Sequence, residues 1–277
     1  MPEPLHRASV LVTGAGSGIG RAIAEHLDRA GYRVTGTVRS ASRAVELMKA
    51  SEAAGQKLRF RPLELTASAD IVALAAELEQ DGGVNIIIHN AGFGVYGSVE
   101  EVDGDSVAQQ FETNLFGPLE LTRRLLPGLR ARKGQVIWIG SLAGRIALPF
   151  QAHYSATKAA IASISDAMRM ELRPHGVRVT CVEPGDFATG FTDARSPVKV
   201  PGSVYTEAHD RCLREVVKQE RGAARPELVA ALVARLCTMP DPPARVPVGP
   251  SAGSTCLLLR VMPDRLRELI VRKHYAQ

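Results

Sequence analysis

Tyr154-Ser155-Ala156-Thr157-Lys158 sets a phenol and an amine four residues apart, the spacing that brings two side chains to one face of a helix. Such a pair is a candidate proton donor, because tyrosine ionises near about 10 in water and an adjacent positive charge stabilises its phenolate. A reaction that builds negative charge on oxygen could be met by this pair with a proton. A second chemical feature lies near the N-terminus. The apolar run Val10-Leu11-Val12 leads into Thr13-Gly14-Ala15-Gly16-Ser17-Gly18-Ile19-Gly20, after which Ala22, Ile23 and Leu27 recur at helical spacing. A strand, a glycine turn and a helix in that order let the backbone approach a pyrophosphate without Cβ obstruction. The helix start adds unpaired N–H groups and the positive end of its dipole.

The elements that must position these groups alternate short apolar runs with longer helical patterns, the signature of a doubly wound parallel α/β sheet. The pattern predicts strands over 8–13, 33–38, 58–63, 84–88, 134–139, 177–182 and 244–248. It predicts helices over 18–30, 42–54, 68–80, 104–131, 151–173, 225–238 and 263–273. With 277 residues and 45% hydrophobic content, a single three-layer αβα domain of Rossmann type is expected. Residues 186–222 are the poorest in regular pattern and are expected to form a flap over the site, and 249–277 form a C-terminal extension.

Charge and composition narrow the class. The net charge of +5 is dispersed and interleaved with acids, which argues against a nucleic-acid partner. No apolar stretch is long enough to span a bilayer and no secretory run opens the chain, so a cytoplasmic protein is expected. Cys181, Cys212, Cys237 and Cys256 have no metal-ligand spacing and read as reduced thiols.

On these motifs the chain resembles the short-chain dehydrogenase/reductase family, in its compact TGxxxGxG branch. Thr13, Gly14, Gly18 and Gly20 fill the glycine pattern. Asn90-Ala91-Gly92, Asn114, Ser141 thirteen positions before Tyr154, Lys158, and Pro184-Gly185 followed by Thr189 fill the others, so the likeness runs from about Ser9 to Thr189. It implies a nicotinamide-dependent oxidoreductase with Asn114, Ser141, Tyr154 and Lys158 as the catalytic set. Tyr154 is then the acid/base, Ser141 donates to the substrate oxygen, Lys158 also holds the nicotinamide ribose, and Asn114 supports a proton-carrying water chain. The family often has two serines where this chain has Gly140-Ser141.

The likeness also implies a cofactor site of Gly14, Ser17, Gly18, Ile19 and Gly20 at the pyrophosphate, and Glu64 and Leu65 at the adenine. Asn90, Ala91 and Gly92 pass behind the ribose, and Pro184, Gly185, Phe187 and Thr189 frame the nicotinamide. Where an NAD enzyme usually places an acid after the second strand, this chain has Val38, followed by Arg39 and Ser40. Without carboxylate repulsion, and with a guanidinium able to bind a 2′-phosphate, NADP(H) is favoured over NAD(H). The expected substrate walls are Phe93, Val95, Ser141, Leu142, Leu148, Phe150 and Phe187. They suit an apolar ketone, aldehyde or secondary alcohol.

The chain past Pro247 is similar to steroid- and retinol-dehydrogenase-like members, and family likeness implies a homodimer or homotetramer through 104–131 and 151–173. His153 reads as a surface or subunit-contact residue and His89 as a structural one, while Asp186 beside Gly185 could polarise a substrate group or cap the flap. A non-catalytic NADP-binding sensor or scaffold is the alternative function, disfavoured because it has no use for the full set Asn114, Ser141, Tyr154 and Lys158. Transient-oxidation chemistry of the lyase or epimerase kind is disfavoured by the glycine spacing.

Overall fold

A computed structural model describes residues 8–188, 196–221 and 223–276. The first half of the chain runs β1 (Ser9–Val12), α1 (Gly18–Arg29), β2 (Arg33–Val38), α2 (Ala41–Ala53), β3 (Arg59–Pro62), α3 (Ser68–Gln80), β4 (Ile86–His89), β5 (Val95–Tyr96), α4 (Gly104–Phe111) and α5 (Gly117–Ala131). The second half runs β6 (Gln135–Ile139), α6 (Ala152–Leu172), β7 (Arg178–Pro184), β8 (Ser196–Pro197), α7 (Thr206–Arg221), α8 (Glu227–Thr238), β9 (Arg245–Val248), α9 (Ala252–Val261) and α10 (Asp264–Val271).

Seven strands pair in parallel in the order β3-β2-β1-β4-β6-β7-β9. The period of two sorts their side chains into two cores, one on each face. Val10, Val12, Ile86, Ile88, Ile137, Ile139 and Val182 pack with Ile23 and Leu27 of α1 and Val233 and Leu236 of α8. The intervening Leu11, Ile87, Val136, Trp138, Val179 and Cys181 pack with α3, α5 and α6 through Leu74, Leu78, Leu125, Leu129, Ile161 and Leu172. Strand order reverses between β1 and β4, and this is where a doubly wound sheet opens a crevice at its carboxyl edge.

Three expectations are corrected. Residues 104–131 do not form one regular helix, because a π-helical turn over Glu112–Phe116 interrupts them. Of the expected flap over 186–222, residues 189–195 and 222 lie outside the described residues, and Thr206–Arg221 form the sixteen-residue helix α7. Of its described side chains, His209, Cys212 and Val216 are buried, so its apolar signal is faint in the sequence. The C-terminal extension holds α9 as well as the expected final helix, and the two-residue β5–β8 pairing was too short to register as a pattern. Among the described residues, no helix is long and apolar enough to cross a membrane.

Candidate active site

A cleft of about 1420 Å³ opens at the strand-order reversal. Of the expected cofactor residues it is lined by Gly14, Ser17, Gly18, Ile19, Arg39, Ser40, Glu64, Leu65, Asn90, Ala91, Gly92, Tyr154, Lys158, Pro184, Gly185 and Phe187. Of the expected substrate walls it takes Phe93, Ser141, Leu142, Leu148 and Phe187. Thr189 lies outside the described residues.

Gly20, Asn114, Val95 and Phe150 do not line it. Gly20 sits behind the turn, where a Cβ would collide with the Asn90 amide and the Gly14 carbonyl. Val95 is buried in β5, its N–H donating to Gln110 Oε1 at 3.1 Å. Phe150 adopts φ +60°, and its ring packs edge-on against His209 at 5.5 Å, beneath α7. The substrate-wall expectation therefore fails for Val95 and Phe150, since each is drawn to a contact that local spacing does not encode.

The glycine turn is clamped by hydrogen bonds to the strand beside it. Thr13 Oγ1 accepts from the N–H groups of Asn90 and Ala91 at 3.0 and 3.1 Å, and Asn90 Nδ2 donates to the carbonyls of Thr13 and Gly14 at 3.0 and 3.1 Å. Gly14 has φ +66°, and a Cβ there would stand 2.8 Å from Ala91 Cα, so glycine is required for both conformation and approach. No side chain caps α1 at Ser17, which leaves the first-turn N–H groups available to an anion in the cleft.

Ser141 follows β6 in extended conformation and caps a short 3₁₀ turn, its Oγ accepting from the Ala143 N–H at 3.0 Å. The hydroxyl's own hydrogen is left to donate into the cleft. Gly140 explains the missing second serine: a Cβ there would approach Cys181 Sγ to 2.8 Å. On α6, Lys158 is buried, its Nζ donating to the Ile139 carbonyl at 2.9 Å and lying 5.6 Å from the centre of the Tyr154 ring. Burial pushes its ammonium down from 10.5 to about 8, against a smaller opposing effect of the Cys181 thiol. Tyr154 and Ser141 line the same cleft, so a phenol, a hydroxyl and the Lys158 amine converge there.

Asn114 sits in the π-helical turn with its amide engaged by the protein. Oδ1 accepts from the Phe93 N–H at 3.0 Å, while Nδ2 donates to the Phe93 carbonyl at 2.9 Å and to Thr157 Oγ1 at 3.2 Å. Its side chain ties the loop after Gly92 to α6, one position ahead of Lys158. Glu64 at the cleft wall is held locally, Oε1 accepting from Thr66 N and Oγ1, both at 3.1 Å.

Several residues in the cleft wall or packed behind it carry little signal in the sequence. Arg43, one turn into α2 beyond the Ser40 cap, joins Arg39 at the wall, and the Ser cap before an arginine was its only signal. Glu183, fully buried at the end of β7, receives Arg145 Nε and Nη2, each at 2.8 Å. This ion pair braces the Ser141 turn against Pro184-Gly185. A carboxylate inside an apolar strand was the clue. Val216 and Gln219 of α7 and Tyr275 close the far wall, Tyr275 donating from its hydroxyl to Gln219 Oε1 at 3.0 Å. No local pattern could place that contact. His89 is stacked on Trp138 at 4.2 Å and burial pushes it down to about 3, so it stays neutral, and His153 does not line the cleft.

A doubly wound parallel sheet with a glycine turn and a Tyr/Lys pair in one cleft defines the class of nicotinamide-dependent oxidoreductases built on a Rossmann fold. The family model described as short chain dehydrogenase matches residues 8–199. A 3-ketodihydrosphingosine reductase of Bacteroides thetaiotaomicron is 33% identical, over 96% of this chain and 97% of its own. Among solved structures, a short-chain dehydrogenase from Streptomyces avermitilis superposes with a TM-score of 0.82 at 32% identity, covering 96% of this chain and 97% of the other. The closed form of serine dehydrogenase complexed with NADP+ gives 0.74 at 29% identity, covering 87% and 94%. The chain belongs to the short-chain dehydrogenase/reductase family.

Proposed function

We propose that the chain is an NADP(H)-dependent oxidoreductase that interconverts an apolar ketone or aldehyde and its alcohol, with Tyr154 as the acid/base. The observation that carries the reading is the convergence of Tyr154, Ser141 and buried Lys158 on the cleft that also holds the clamped glycine turn. When bound, the nicotinamide supplies or accepts the hydride. Gly14, Ser17, Gly18 and Ile19, with the uncapped start of α1, would hold its pyrophosphate. Exposed Arg39 presents its guanidinium to a 2′-phosphate, with Ser40 and Arg43 on the same wall, the latter paired with Glu46 on α2. Val38 takes the place of a carboxylate, packed so that a Cβ at Gly16 would touch its Cγ1 at 2.9 Å. These features support NADP(H) over NAD(H).

In the reductive direction Tyr154 gives its phenolic proton to the substrate oxygen while Ser141 donates a hydrogen bond to it. Lys158, fixed by the Ile139 carbonyl, holds positive charge near the phenolate that remains. Asn114 keeps the loop after Gly92 and α6 in register, and is assigned to support the proton path. Leu142, Ile146, Leu148, Phe187 and Val216 make the substrate wall apolar. A lipid ketone, of the kind named for the Bacteroides relative, is the substrate class this wall and that similarity support.

A cytoplasmic location accords with four buried free thiols. A homodimer or homotetramer through 104–131 and 151–173 is supported by exposed Phe116 and Met170, one in each segment.

The test is oxidation of NADPH and NADH against apolar ketones and aldehydes, including a 3-keto sphingoid base, beside Tyr154→Phe. Turnover with NADPH that falls at least about 100-fold in the variant, with NADPH binding retained, is the expected result. Tight NADPH binding without turnover on any of them would instead favour the sensor reading. Near-native turnover by a folded Tyr154→Phe would overturn the assignment of the acid.

A further inference from the structure

Past β9 the chain ends in two short helices that leave large apolar side chains in water. On α9 these are Leu257, Leu258 and Val261, and on α10 Leu266, Leu269 and Ile270, with exposures from 46% to 76%. Each trio repeats at three- or four-residue intervals and so forms a row along its helix. Cations accompany both rows. Arg260, Arg265, Arg272 and Lys273 are exposed and Arg267 is half-buried, five cations against the two acids Asp264 and Glu268. Arg267 pairs with Asp264 at 3.3 Å, and its Nη2 reaches back to the Leu259 carbonyl of α9 at 3.4 Å, linking the helices.

Apolar rows rimmed by cations, on helices too short to span a bilayer, are the composition of an interfacial anchor. The apolar side enters the acyl boundary while arginine and lysine meet anionic headgroups. A second copy of this chain is a poorer occupant, because two such faces would bring like charge together. The same segment also borders the cleft, through Ala252 and Thr255 of α9 and through Tyr275 beyond α10. We infer that α9 and α10 dock this protein on an anionic phospholipid surface and set the mouth of the cleft beside the bilayer. This docking is independent of hydride transfer, so vesicle binding and turnover can fail separately.

The test is co-sedimentation of the full chain with phosphatidylcholine vesicles prepared with and without phosphatidylglycerol, at low and high salt. Binding should require phosphatidylglycerol and weaken with salt. It should fall about tenfold or more both in Leu257→Asn/Val261→Asn and in Arg260→Gln/Arg265→Gln, with turnover on a water-soluble ketone unchanged. The charge variant alters exposed positions only, so it keeps the test valid if the apolar variant folds poorly. Absence of vesicle binding by the unaltered chain, or binding indifferent to the charge variant, overturns the inference. So does a folded Leu257→Asn/Val261→Asn that dissociates an oligomer while vesicle binding is unchanged, since that result makes the face a contact between copies.

Discussion

Replacing Lys158 by methionine should abolish catalysis and at the same time make the cofactor-free protein harder to unfold at neutral pH. The lysine is buried with one hydrogen bond, and its ammonium falls from 10.5 to about 8 on folding. At about 1.4 kcal/mol per pH unit, that difference is a folding penalty on the order of 3 kcal/mol. Methionine fills similar volume without the charge but loses the bond to the Ile139 carbonyl, which returns about 1–2 kcal/mol. The net expectation at pH 7 is a gain of about 1–2 kcal/mol. The pH dependence is more diagnostic. Below pH 8 both the folded and unfolded wild-type chains carry the proton, and the penalty is constant. Between about pH 8 and 10.5 the unfolded chain keeps the proton that the folded chain has released, so wild-type stability rises with pH. The variant lacks this increment, and titrating groups that do not interact with Lys158 cancel in the difference. Urea unfolding of both proteins at pH 7 and pH 10.5 therefore should show the variant's advantage shrinking by about 3 kcal/mol and reversing sign. An offset that stays the same at both pH values would refute the claim that burial depresses this amine.

Arg39→Asp and Arg43→Asp should each weaken NADPH about tenfold or more while sparing NADH, measured as cofactor Kd; an unchanged preference in the double variant would remove the phosphate role from this wall. Gly140→Ser should cost about 1–3 kcal/mol in urea unfolding because its Cβ meets Cys181 Sγ, and Cys181→Ala should recover most of that loss. A Gly140→Ser protein of native stability would show that this contact does not exclude the second serine. Arg145→Ala leaves buried Glu183 with Arg245 Nη1 at 3.7 Å as its remaining cation, so a loss of about 3 kcal/mol is expected, with Glu183→Gln in the same background restoring stability. Equal stability of Arg145→Ala and wild type would show that the pair does not brace the two loops.

The sequence alone determined the parallel sheet, the glycine turn and the identity of Tyr154, Lys158 and Ser141 as the groups with chemical potential. Those signals are local: short apolar runs, the four-residue step of a helix, and a glycine run between an apolar strand and a helical pattern lie within one or two turns of chain. Even Glu183 left a local trace, as a carboxylate in an apolar strand. Only tertiary structure decided which candidates share the cleft. It turned Phe150 and Val95 into the packing around β5, and it brought Arg43 to the wall beside Arg39. It also folded 206–221 into α7 on three buried side chains and placed Tyr275 against Gln219, 56 residues away in the chain. The reason is physical. A side chain's direction follows from its own backbone, but its destination depends on burial against partners far along the chain, and sequence spacing does not encode those partners.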